Sequence, residues 1–87
     1  MQKEIIEVTN RTGIHARPAS LIVQKSNEFE SGIFIIKDNK EVNAKSIMGI
    51  MSLGISQSTE ITIKTEGVDE EEAMTELKEL IKDSINE

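Results

Sequence analysis

The chain has no cysteine, tryptophan or tyrosine, one proline, and two phenylalanines, Phe29 and Phe34. Each absence closes a class of function. Without thiols there are no disulfide staples, thiolate metal sites or thiol nucleophiles, and redox chemistry leaves the compartment open. With so few aromatics little could stack on nucleic-acid bases, and the core has to be aliphatic, drawn from isoleucine with Leu, Val, Met and Ala. No apolar run approaches a membrane span, and Met1-Gln2-Lys3-Glu4 lacks the apolar segment of a signal peptide, so the reading is cytoplasmic, with no membrane insertion. Positive charge is scarce too: 10 Lys and Arg stand against 16 Asp and Glu, a net charge of −6. That excess disfavours direct binding to a nucleic-acid backbone, so any anionic ligand must meet a local cationic site.

What remains is enough for one compact domain, residues 1–87, of globular composition, with 37% hydrophobic and 30% charged residues. Gln2 to Val8 is expected as a strand, with Ile6 and Val8 on one face and Ile5 on the other. From Ala16 to about Asn27, Ala16, Ala19, Ile22 and Val23 recur at helical spacing, and Pro18 fits a first helical turn, where its missing N–H costs nothing. Ile33 to Lys37 reads as a strand, Asp38-Asn39 as a turn that tolerates positive φ, and Glu41 to Asn43 as the return strand. Ser46 is placed to cap a short helix running from Ile47 to Leu53 and closed by Gly54. Glu60 to Glu66 alternates strictly and buries Ile61 and Ile63. Asp69 is the expected cap of the last helix, with Glu72 completing a capping box and Ala73, Leu77, Leu80, Ile81 and Ser84 forming its apolar stripe. The order βαββαβα, with alternating rather than continuously apolar strands, predicts an α+β fold: a four-stranded antiparallel sheet covered on one face by three helices.

Candidate chemistry converges on Gly13-Ile14-His15-Ala16-Arg17-Pro18-Ala19-Ser20. A lone histidine is more often a cap or an exposed side chain than a nucleophile. Here it stands at a helix start, where the Ala16 and Arg17 backbone amides and the positive end of the helix dipole would stabilise an anion. Arg17 adds a guanidinium two residues away, and neutral imidazole attacks phosphorus without a dedicated base. No second histidine, cysteine pair or carboxylate dyad offers a rival centre, and one histidine among scattered carboxylates lacks the ligand spacing of a metal site. Neither metal nor cofactor is expected.

These eight residues resemble the active-site signature of HPr, the histidine-containing phosphocarrier family of the bacterial phosphoenolpyruvate:sugar phosphotransferase system. A second segment, Lys45-Ser46-Ile47-Met48-Gly49-Ile50-Met51-Ser52-Leu53-Gly54, is similar to the regulatory-serine segment of the Gram-positive members, and the likeness spans essentially the whole chain. The resemblance implies an open-faced β-sandwich. It implies that His15, a covalent intermediate rather than an enzyme's catalytic residue, is phosphorylated on Nδ1 by phospho-enzyme I and discharged to sugar-permease IIA domains. It further implies that Ser46 is phosphorylated by an ATP-dependent HPr kinase/phosphorylase, slowing transfer through His15 and creating a corepressor for a LacI-type catabolite-control protein. A regulatory subfamily, Crh, carries glutamine where this chain has His15.

Ser46 has an ordinary structural reading as an N-cap, and both readings can hold together, since a phosphate at a helix start is favoured electrostatically. In so short a helix some apolar residues must face outward, and flexible methionines suit a surface that meets several partners. Ile47, Met48 and Met51, extended by Ser20 and Gln24 of the first helix, form the expected partner face. A monomer is expected. Two alternatives stay open: a regulatory docking module acting through Ser46 with His15 dispensable, and a carrier in a nitrogen-related branch of the same system.

Overall fold

The computed structural model describes residues 1–86, so the last residue of the expected domain, Glu87, lies outside the described residues. The chain runs through β1 (Gln2–Val8), α1 (Ala16–Ser26), β2 (Gly32–Lys37), β3 (Lys40–Asn43), α2 (Ile47–Met51), β4 (Thr59–Glu66) and α3 (Glu70–Leu80), and one π turn (Ile81–Ile85) prolongs α3. The sheet has the order β1-β4-β2-β3, with every neighbouring pair antiparallel. The strand most regular in sequence, β4, is therefore central. Its register sets Ile61 opposite Ile6 and Ile63 opposite Ile35.

Because side chains alternate along a strand, Val8, Ile33, Ile35, Ile61 and Ile63 all point to one face. They are buried there with Ile22 of α1, Ile50 of α2 and Leu77 of α3. Ile5, on the opposite face, is 67% exposed, so the sheet is covered on one side only. The β2–β3 turn holds Asp38 at φ 49° and Asn39 at φ 71°, the left-handed pair that joins two-residue hairpins, as the sequence predicts.

Two expectations about the last helix are corrected. Asp69 does not cap α3 with its side chain. Its carboxylate instead accepts hydrogen bonds from the Ser31 hydroxyl, from the Ser31 amide at 2.9 Å and from the Glu30 amide at 3.0 Å. Three donors across the fold outweigh one local amide, and together, the Ser31 hydroxyl foremost, they hold the Asp69 carboxyl below its ordinary 3.8. The reciprocal glutamate is Glu70, which accepts from the Gly67 amide at 3.0 Å, rather than Glu72. The second correction is the π turn, closed by Asn86 N donating to Ile81 O at 2.7 Å. Ile85, four residues after Ile81, shares its core face. Ile85 and Met74 are buried, and Ser84 is turned outward rather than lying on the apolar stripe.

Candidate functional site

The segment between β1 and α1 is tied down before it reaches the histidine. The Asn10 side chain donates to Gly13 O at 2.8 Å, and Gly13 N donates back to Asn10 O at 3.2 Å. Gly13 adopts φ +65°, and a Cβ there would lie 2.2 Å from Ile55 O. Only glycine allows this approach, which lets Ile14 N donate to that same Ile55 O at 3.0 Å and buries Ile14. At the other end of the segment, Asn86 accepts from Thr9 N at 2.9 Å and donates to Glu7 O at 2.8 Å, while Gln57 donates to Thr9 O at 3.2 Å.

His15 emerges from this loop as the N-cap residue of α1, with extended backbone angles and an exposed side chain. Its side chain makes no capping hydrogen bond, and no acidic residue occupies the first turn of the helix. Pro18 has no N–H, and Ala19 N already bonds His15 O at 2.9 Å, so the Ala16 and Arg17 amides are the donors left at this positive end. Arg17, one residue further on, is exposed beside them. The sequence-predicted trio of His15, Ala16 and Arg17 is thus brought together at one helix start.

A cavity opens beside it. The loop contributes Asn10, Arg11 and Thr12 to its lining, and the helix start contributes His15, Arg17 and Leu21. Gln57, Ser84 and Ile85 come from the segment before β4 and from the π turn. Both arginines of the chain therefore line one cavity, and among the described residues no Asp or Glu does. In a chain of net charge −6 this is the local cationic site that an anionic ligand requires.

Ser46 sits elsewhere, as the N-cap of α2, its Oγ accepting from Gly49 N at 3.1 Å. Ile47, Met48 and Met51 around it are 38%, 77% and 43% exposed. On α1, at 100° per residue, Ser20 and Gln24 fall on the crest opposite buried Ile22, where Gln24 Nε2 donates to Ser20 Oγ at 3.4 Å. Helices α1 and α2 pack against each other, but none of these five partner-face residues lines the histidine cavity. Arg11, Asn10 and Gln57 join the site with no sequence motif to mark them. The one available signal was that the chain's other arginine lies four residues before the histidine.

The sequence matches the family described as "PTS HPr component phosphorylation site" over residues 2–83. The chain belongs to the HPr family. HPr-like protein Crh of Bacillus subtilis is 47% identical over 85 residues, which span 98% of this chain and 100% of the relative. The crystal structure of HPr-C-His from Thermoanaerobacter tengcongensis superposes with a TM-score of 0.94 at 54% identity, covering 100% of this chain and 98% of that one. A crystal structure of B. subtilis Crh, described as a domain-swapped dimer, superposes with a TM-score of 0.78 at 46% identity over 100% of both chains. The fold is thus that of HPr, and the family is one of phosphocarriers rather than catalytic enzymes. The Crh dimer weighs against the expected monomer. Among the described residues no helix is long and apolar enough to cross a membrane, and no cluster of His, Asp or Glu could hold a metal ion.

Proposed function

We propose that this chain is a cytoplasmic phosphocarrier of the phosphoenolpyruvate-dependent sugar phosphotransferase system, carrying the group on His15. The observation behind this reading is a helix start that the His15 side chain leaves uncapped, with an exposed imidazole, beside a cavity lined by both arginines and, among the described residues, by no Asp or Glu. In the step proposed, the lone pair of His15 Nδ1 attacks the phosphorus of phospho-enzyme I. The new N–P bond forms as the donor's bond to phosphorus breaks, and the departing donor group keeps the electron pair. The Arg17 guanidinium and the Ala16 and Arg17 amides compensate charge on the three transferred oxygens, which is most of what phosphoryl transfer asks of a protein. Attack by a sugar-permease IIA domain reverses the step and frees the imidazole.

Ser46 is the proposed regulatory site. An HPr kinase/phosphorylase would move the γ-phosphoryl of ATP onto Oγ, with ADP leaving and the hydroxyl proton released, and so add about −2 charge to a residue that now caps α2. The exposed Ile47, Met48 and Met51, with Ser20 and Gln24, form the face proposed to meet enzyme I, the IIA domains and a LacI-type repressor. A second reading, a docking module that works through Ser46 alone, draws on the likeness to Crh. Incubation with enzyme I and phosphoenolpyruvate separates the two. Acid-labile phosphate that disappears in His15→Ala supports the carrier, and its absence beside retained Ser46-dependent repressor binding supports the docking module.

A further inference from the structure

The histidine cavity contains a charged group that the carrier reading leaves unused. Arg11 lies outside both the helix and the signature that surrounds His15, yet it lines the same cavity as Arg17. The chain has 16 acidic residues, but among the described residues neither arginine forms a salt bridge, while Lys25, Lys64 and Lys78 all do. Among the described residues, both guanidinium groups thus lack an ionic partner beside the cavity their residues line.

Arg11 is also delivered by a stiff piece of backbone. Asn10 bridges forward to Gly13 O, and Thr9 is held by Asn86 and Gln57. The guanidinium thus starts from a fixed anchor, which lowers the entropy lost on forming a contact. A phosphoryl group on the imidazole carries up to two negative charges on three oxygens, more acceptor positions than one guanidinium fork and two amides fill.

From this arrangement we infer that Arg11 is a second phosphoryl-binding residue, contacting the oxygens of the group carried on His15 jointly with Arg17. The inference rests on His15 accepting a phosphoryl group. Contact with the group itself, and not with an acidic partner, is favoured because Arg11 lines the histidine's own cavity rather than the α2 face.

The test uses the isolated protein phosphorylated chemically with phosphoramidate, so that no partner is needed. The His15 nitrogen attacks phosphorus, the reagent's P–N bond breaks, and ammonia departs with the proton the imidazole loses. Phosphorus NMR then follows the second ionisation of the phosphoryl group in wild type, Arg11→Gln, Arg11→Lys and Arg17→Gln at low salt. A guanidinium against the dianion weakens its hold on the last proton. Its removal in Arg11→Gln is expected to raise that proton affinity by up to about fivefold, the worth of an exposed ion pair, with Arg11→Lys staying near wild type. Fading of the difference in high salt would support the same cause. If Arg11→Gln titrates with wild type, the inference is overturned, whatever Arg17→Gln does. Because phosphoramidate supplies the group, failure of enzyme I to charge the wild type would count against the carrier reading alone.

Discussion

Replacing Gly13 by alanine should damage this protein far more than its size suggests, and the structure provides an internal control. Gly13 and Gly54 have nearly the same backbone angle, φ +65° and +60°. Alanine in that left-handed region costs about 1–2 kcal/mol at either position. Around Gly54 nothing lies within 4 Å of a Cβ, so the backbone strain is the whole effect. At Gly13 the new carbon would lie 2.2 Å from Ile55 O and 2.7 Å from Ser56 Cα, both backbone atoms that cannot swing aside. The two segments must part, breaking the bond from Ile14 N to Ile55 O, which adds about 1 kcal/mol, more if Ile14 loses its burial. Gly13→Ala should therefore cost about 2–3 kcal/mol, or more, against about 1–2 for Gly54→Ala, a large part of the roughly 4–13 kcal/mol expected for a domain of this length. Urea denaturation of the two variants, read as a midpoint shift at constant slope, measures the difference directly. Phosphorylation of the folded Gly13→Ala protein should also slow, because the parted loop carries His15. Equal destabilisation of the two variants would refute the close-approach argument.

Ser26 is fully buried and its Oγ has no hydrogen-bond partner among the described residues. Ser26→Ala should therefore stabilise the fold by up to about 1 kcal/mol, seen as a rise of a few degrees in Tm. The Asp69 carboxyl sits below its ordinary 3.8, so the stability it contributes is complete above that value and is lost as pH falls below it. Thermal melts between pH 5 and pH 2 should show a steeper acid decline in wild type than in Asp69→Asn. Ser46→Ala removes the cap on Gly49 N and should cost about 1 kcal/mol. Ser46→Asp keeps an acceptor there and should melt near wild type while slowing transfer through His15. Normal transfer by a stably folded Ser46→Asp protein would contradict the proposed electrostatic control.

Much of this architecture was legible because local pattern and tertiary demand agree. The alternation from Glu60 to Glu66 names the buried face of β4 before its neighbours are known, and Asp38-Asn39 announces a hairpin by backbone chemistry alone. The start of α1 was readable from Pro18 and the apolar spacing behind it. Illegible features depend on contacts between distant parts of the chain. Asp69 has the composition of a cap, but its carboxylate is claimed by Glu30 and Ser31, almost forty residues away. The π turn accompanies an Asn86 side chain bonded to Glu7 and Thr9 at the opposite end of the chain, and no periodicity within α3 foretells that. In the site, His15 and Arg17 could be paired in sequence because one helix start carries both. Arg11 joins them only through the folded loop.

The central claim is that the helix start at Ala16 is a phosphoryl site and that His15 carries the group. Incubating the protein with enzyme I and radiolabelled phosphoenolpyruvate, then splitting the product between acid and alkali, tests it in one step. The account predicts one label per chain, lost in acid, kept in alkali and absent from His15→Ala. Label that survives acid, or that persists in His15→Ala, would contradict it.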